Sequence, residues 1–151
     1  MKQSAGVLLY RFTNNEVEFF LVHPGGPFWA KKDSGAWSIP KGEFSENEDP
    51  LEAAKREFWE ETGMTISGNF SRLSTVKQKG GKIVHAWALE SDLDPAVIKS
   101  NMFEMEWPPK SRQTQQFPEI DKAGWFKINA AKEKILSSQL PILEELNKLL
   151  K

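Results

Sequence analysis

The chain contains no cysteine. That excludes a disulfide framework, thiolate catalysis and a zinc–thiolate centre, and any metal it uses must accept oxygen ligands. Charge of one sign is also missing: the formal net charge is −1, which gives no overall attraction to nucleic acid, so none is expected as a partner. No apolar run approaches the ~20 residues of a membrane span. The amino end, Met1-Lys2-Gln3-Ser4, lacks the apolar stretch of a signal peptide, so the expected location is the cytoplasm, with no membrane partner. There is no internal repeat, low-complexity tract or interdomain linker, and one domain over residues 1–151 is expected.

What is present is ordinary in bulk and unusual in one place. Hydrophobic residues make up 39% and charged residues 27%, a balance that suits a globular domain with a proper core. Between residues 42 and 64 the sequence reads GEFSENEDPLEAAKREFWEETGM. Asp49 is a good N-cap, Pro50 fits the first helical position, Glu52 stands in a capping-box relation to Asp49, and Gly63 supplies the stop. On the helix so defined, Leu51, Ala54 and Phe58 form an apolar stripe, while Glu57, Glu60 and Glu61 share the adjacent arc. Glu57 and Glu61 should repel one another, and Glu57 has no basic residue three or four positions away.

A solvated acidic face is the usual fate of such a helix. The full spacing argues otherwise: Gly42, Glu48 six on, Arg56 eight further, then Glu57, Glu60, Glu61 and Gly63. With residue frequencies of about 5–7%, seven fixed letters match by chance on the order of 10⁻⁹ per start position. Clustered glutamates without cysteine point to Mg²⁺ or Mn²⁺, hard ions that bridge carboxylates to phosphate oxygens.

Around the helix, Ala5 to Phe12 and Val17 to His23 read as strands joined at Asn14-Asn15. The glycine- and proline-rich stretch from His23 to Lys32 reads as a loop. Ile66 to Lys77 and Lys82 to Glu90 are further strands about a turn at Lys79-Gly80-Gly81. Residues 100 to 118, with Pro108, Pro109 and Pro118, read as a long loop. Glu119 to Ile128 is a last strand, followed by helices over Ala130 to Ser138 and Pro141 to Leu150. The order implies an α/β (α+β) protein with a mixed sheet covered on both faces.

The spaced residues resemble the Nudix box, Gly-x5-Glu-x7-Arg-Glu-U-x-Glu-Glu-x-Gly-U, with Phe58 and Met64 at the apolar U positions. Phenylalanine at the first is bulkier than the usual aliphatic, which touches packing rather than chemistry. The box covers 23 of 151 residues, but Trp37-Ser38-Ile39-Pro40-Lys41 before it and Glu119 to Phe126 after it also look like the family. The resemblance implies an α/β/α sandwich and a hydrolase that cleaves a nucleoside diphosphate linked to another moiety.

It also implies roles. Glu57, Glu60 and Glu61 become the expected metal ligands, with one of them, or a glutamate from a nearby loop, as general base. Gly42 would offer a backbone carbonyl to the metal or a tight turn beside it. Arg56 and Glu48 would form a structural pair, and Gly63 ends the helix. Glu119 is placed as an additional metal-binding or base glutamate, with Glu104 and Glu106 as rivals. Lys41 could reach a phosphate. His23 and His85 read as packed strand histidines or phosphate contacts. Trp87 and Trp125 belong with the core, whereas Trp29, Trp37 and Trp107 could stack on a base.

Substrate signatures of the family are mostly missing. There is no coenzyme A type motif and no Ser-Gln-Pro-Trp-Pro-Phe-Pro segment, and residues 76–80 lack the proline of ADP-ribose enzymes and the tyrosine often associated with diadenosine polyphosphate hydrolysis. Trp37-x-Ile39-Pro40-Lys41-Gly42 is similar to the Trp-x-Leu-Pro-Lys-Gly of diadenosine polyphosphate and diphosphoinositol hydrolases. A small nucleotide of the diadenosine tetraphosphate type is therefore the leading substrate, ahead of MutT-like cleavage of an NTP to NMP and pyrophosphate. A non-catalytic nucleotide-binding module is the alternative class, and partner binding by the apolar carboxyl-terminal helix is a third. A monomer or homodimer is expected.

Overall fold

A computed structural model describes residues 2–77 and 81–151, so most of the turn expected at Lys79-Gly80-Gly81 lies outside the described residues. Strands β1 (Gln3–Thr13) and β2 (Glu16–Pro24) form an antiparallel hairpin. Asn14 and Asn15 make its two-residue turn with φ of 52° and 66°, the left-handed pair that matches the twist of such hairpins and that asparagine tolerates. Strand β3 (Lys41–Phe44) adds to the start of β1, with Gly6 opposite Lys41. Helix α1 (Pro50–Thr62) follows, then the two-residue strands β4 (Ser71–Arg72) and β5 (Val76–Lys77). Strand β6 (Ile83–Glu90) lies parallel to β1.

The sheet runs β4-β6-β1-β2-β9, with β3 on β1 and β5 on β6, and β9 (Ile120–Lys127) is antiparallel to β2. It is mixed, as expected. Alternation along the strands divides the core in two. Val7, Leu9, Phe20 and Val22 face Ala53, Ala54 and Phe58 of α1. Leu8, Phe19 and Leu21 face Ala131 of α2 (Ile128–Lys134) and Ile142, Leu143 and Leu146 of α3 (Leu140–Leu149). The result is an α/β/α sandwich. Trp87 and Trp125 pack beside the α1 half, Trp125 against Phe20 with its indole N–H donating to the Leu93 carbonyl. No described helix is long and apolar enough to cross a membrane.

Three segments depart from the sequence reading. Residues 100–118 are not a loop: β7 (Met102–Glu106) and β8 (Thr114–Pro118) pair as an antiparallel hairpin separate from the main sheet. Its prolines fall in the turn, where the Trp107–Pro108 bond is cis, and at the end of β8, so they do not interrupt the ladder. Ile66 to Lys77 is largely irregular, with Gly68 at φ 137° and only two short strands. Helix α2 stops at Lys134 instead of Ser138, because Ile135 leaves the helix to bridge Trp37 and bury its side chain.

Candidate active site

The acidic helix is fixed at both ends by the residues that signalled it. Asp49 accepts a hydrogen bond from the Glu52 N–H (3.1 Å), while the Glu52 carboxylate meets Lys55. At the other end Gly63 adopts φ 75°, and its N–H donates to the Trp59 carbonyl at 2.7 Å. A Cβ on Gly63 would stand 2.8 Å from the Lys99 carbonyl oxygen, so glycine there also admits the segment leading to β7. That segment ties two acidic groups together: the Asn101 N–H donates to the Glu60 carbonyl, and the Glu119 N–H to the Asn101 carbonyl. Glu119 is thereby held close to the end of α1.

Arg56 organises the carboxylates. Its Nε and Nη2 donate to the two oxygens of Glu48 at 2.8 and 3.1 Å, and Nη1 donates to Glu57 at 2.5 Å and Glu60 at 3.1 Å. The Glu48 carboxyl is held below its usual range by this fork, and the guanidinium is pushed above its own. The counter-charge for Glu57 is thus its immediate neighbour in sequence, which helical i, i+3 and i, i+4 spacing does not anticipate. Gly42 closes against the same group: a Cβ there would meet Glu57 Oε1 at 1.6 Å. No residue with a side chain fits without displacing that carboxylate.

Even with Arg56 present, negative charge is in excess. Burial pushes the Glu57 carboxyl up to about 7, with Glu60 adding to the rise. Glu61 is pushed up to about 8 by burial, against the pull of the Lys41 N–H, which donates to Glu61 Oε1 at 3.2 Å, and of the Lys41 ammonium. Burial and the nearby Glu60 also raise Glu119. Lys41 is lowered by its own burial, with Glu61 working to keep it charged. Carboxylates buried this close together resist ionisation, and a bound cation relieves that.

Two adjoining cavities open on Glu61 and Glu119, and Glu57 and Glu60 line neither. One, of about 210 Å³, is lined by Val22, Trp29, Ser38, Lys41, Glu61 and Glu119 among others. The second, about 420 Å³, shares Trp29, Glu61 and Glu119 and adds Phe28, Phe103 and Met105. A larger depression of about 740 Å³, around Arg11, Asn69 and Asp92 at the far end of β1, contains none of the box residues. Lys41 reaches the wall of the first cavity along a braced approach. Ser38 pairs with Val22, the Ile39 N–H donates to the Gln139 side-chain oxygen at 3.0 Å, and Gln139 Nε2 donates to the Ser38 hydroxyl. Gln139 is fully buried, and its contact across 100 residues left no local signal.

The structure separates the other aromatic and histidine candidates. Trp29 is on the cavity wall. Trp37 is not: it is 5% exposed, its indole N–H donates to Asp33, and it packs edge-on against Phe126 in the core. Trp107 sits in the β7–β8 turn and lines neither cavity. His23 is fully buried with both ring nitrogens engaged, Nδ1 with Asp121 at 2.7 Å and Nε2 with the Lys32 carbonyl at 2.6 Å, so no nitrogen is free for a phosphate. His85 lies between Arg72 and Gln3, away from both cavities. Glu104 and Glu106 are exposed on the hairpin, the latter accepting the N–H groups of Lys110 and Arg112. Phe28, Phe103 and Met105 were not anticipated, although Phe103 and Met105 alternate with Glu104 and Glu106 in a period of two.

The donor set fits a hard divalent ion: its groups are carboxylate oxygens, those of Glu57 and Glu61 held above their usual proton affinity by burial, around a glycine that leaves room for Glu57. Among the described residues no three such groups already surround one point. Glu57 and Glu60 are turned onto Arg56, so binding an ion requires them to share or leave that guanidinium.

Comparison with known proteins agrees with this fold. The family model of the NUDIX domain matches residues 2–146. The RNA pyrophosphohydrolase of Bartonella henselae is 57% identical over 28 residues, 18% of this chain and 16% of that protein. The chain spans a quarter or less of the length of the curated relatives it matches. In fold, it is similar to a Caenorhabditis elegans Ap4A hydrolase in a binary complex (TM-score 0.64, 22% identity, 99% of this chain and 98% of that one). It is similar as well to the NUDIX domain of Shewanella oneidensis NrtR complexed with ADP ribose (TM-score 0.65, 16% identity, 99% and 88%).

Proposed function

Since the chain belongs to the Nudix family, we propose that it is a Mg²⁺- or Mn²⁺-dependent hydrolase of a phosphoric anhydride in a nucleoside or dinucleoside polyphosphate, of the diadenosine tetraphosphate type. The observation that carries this reading is Lys41. It lines a cavity with Glu61 and Glu119, and Glu61 works to keep its buried ammonium charged; a positive charge at this wall suits a long, strongly anionic phosphate chain. The Ap4A hydrolase similarity over nearly the whole chain is consistent with it.

Glu57, Glu60 and Glu61 are the residues that would hold the metal, and Gly42 leaves the space Glu57 needs. When bound, the ion neutralises charge on phosphoryl oxygens and acidifies a water. The protein residues do the rest. Lys41 orients the phosphate chain across the cavity. Arg56, anchored on Glu48, limits the rotamers of Glu57 and Glu60. Glu119 accepts the proton as water attacks phosphorus and the anhydride P–O bond breaks. It lines the cavity, no described lysine or arginine pairs with it, and burial raises its proton affinity above that of an exposed carboxylate, the direction a base needs. A module that only bound nucleotide would have no use for Glu57, Glu60 and Glu61 so close together.

The test is a panel of diadenosine tetraphosphate, several NTPs, ADP-ribose and a diphosphoinositol, assayed with Mg²⁺ and Mn²⁺ and with products separated. Diadenosine tetraphosphate should lead. NTP conversion to NMP and pyrophosphate as the dominant reaction would favour the MutT-like reading, and ADP-ribose as the best substrate would reject the polyphosphate one. Glu60→Gln and Glu61→Gln should each remove most metal-dependent turnover; full activity in both would sink the ligand assignment.

A further inference from the structure

We propose that Phe28 and Phe103 form a stacking surface for the nucleobase, and that the enzyme holds the base by its face without reading its edge, so that it selects for the phosphate chain and accepts all four bases. The inference rests on the hydrolase reading and specifies the substrate class of that site.

The two rings come from segments far apart in sequence and line the same 420 Å³ cavity, which continues to Glu61 and Glu119. Phe103 is placed by Gly26, which has φ 94°; a Cβ there would lie 2.9 Å from Phe103 Cζ. A second ring, Phe117, packs behind Phe103 at 6.0 Å between centroids. Phe28 is 65% exposed, an unusual state for so apolar a side chain, and it is oriented by two neighbours: Trp29 edge-on at 5.3 Å and the Lys32 ammonium 4.0 Å from its ring centre. The Lys32 carbonyl is in turn fixed by the buried His23. An exposed ring held in one attitude is a platform rather than a loose surface residue.

The same cavity offers little that could recognise a base edge. Apart from Glu61 and Glu119, which serve the chemistry, the described side chains lining it carry one polar group, the Trp29 indole N–H. Part of the backbone is engaged as well: the Gly25 N–H donates to the Glu119 carbonyl at 2.8 Å, the Gly26 carbonyl accepts from the Trp29 N–H at 3.3 Å, and Pro24 has no N–H. Stacking without edge contacts tolerates every base and ranks them by ring area.

The experiment compares kcat/KM for the symmetrical tetraphosphates of adenosine, guanosine, cytidine and uridine, with inorganic tetraphosphate as the base-free probe. The four nucleotides should fall within about tenfold, purines ahead. Phe28→Ala should lower the ratio of nucleotide to inorganic tetraphosphate by about tenfold or more, chiefly through KM, and Phe28→Tyr should restore it. Phe28 is exposed enough that truncation leaves folding intact, which circular dichroism checks. A preference above about 100-fold for one base, or an unmoved ratio in Phe28→Ala, overturns the proposal while the hydrolase reading stands. If no anhydride is cleaved, the hydrolase reading fails, and tryptophan quenching by ATP, GTP, CTP and UTP judges stacking alone. Similar affinities weakened by Phe28→Ala then uphold it, and one favoured base refutes it.

Discussion

Glu61→Gln should make the metal-free protein more stable at high pH while removing most of its activity. The Glu61 carboxyl is pushed from 4.5 up to about 8 by burial in the folded state. The folded form therefore binds more protons than the unfolded chain between those values, and stability falls as pH rises through that window. At about 1.36 kcal/mol per pH unit the whole rise is worth up to about 5 kcal/mol; relaxation of the side chain toward solvent at the cavity mouth reduces this to roughly 2–3 kcal/mol. Glutamine keeps the shape and still accepts the Lys41 N–H, but carries no charge. At pH 5 the folded carboxyl is protonated and only the first part of the window has been crossed, so the two should melt within a few degrees of each other. At pH 9 in EDTA the variant should melt about 5–10 °C higher, the shift expected for a domain of this size. Adding Mg²⁺ at pH 9 should raise the wild type and move the variant less. A variant less stable than wild type at pH 9, or a difference that does not change between pH 5 and 9, would refute the assignment of Glu61 as an uncompensated buried carboxylate.

Gly42→Ala should lower kcat about 100-fold with little loss of secondary structure, because its Cβ must displace the Glu57 carboxylate by more than an ångström; steady-state kinetics with circular dichroism checks it. Phe58→Ala should cost about 3–5 kcal/mol in urea unfolding, since the ring is fully buried between α1 and the sheet beside Phe20. Trp37→Phe should leave KM within about twofold and destabilise by about 1 kcal/mol through loss of the Asp33 hydrogen bond; a large rise in KM would return Trp37 to the substrate site.

The parts legible in the sequence are those whose causes lie within a few residues. The cap at Asp49, the stop at Gly63, the turn at Asn14-Asn15 and the acidic arc of α1 are each written in neighbouring letters, and each is in place. The Arg56–Glu48 fork was also legible, since a fixed spacing around one helix start carries it. What was not legible depends on distant segments. Trp37 was expected on a loop near substrate, yet it is taken into the core by Phe126 and Ile135, nearly 100 residues on. His23 is occupied by Asp121. Phe103 reaches the cavity only because residues 102–118 form a hairpin that Pro108 and Pro109 disguised as a loop.

That division has a physical consequence for specificity. Glu57, Glu60 and Glu61 are carried by one helix, with Lys41 and Gly42 in the short strand before it, so one contiguous segment builds most of the acidic site and only Glu119 comes from elsewhere. The walls that meet the base come from Phe28 after β2 and Phe103 in β7, on a loop and a hairpin outside the main sheet. Loops and peripheral hairpins accept change at less cost to the core than a packed helix does. Substitutions at Phe28 or Phe103 can therefore redirect which nucleotide is held while Glu57, Glu60 and Glu61 stay in register, and the substrate of such a fold has to be read from its periphery rather than from its acidic helix.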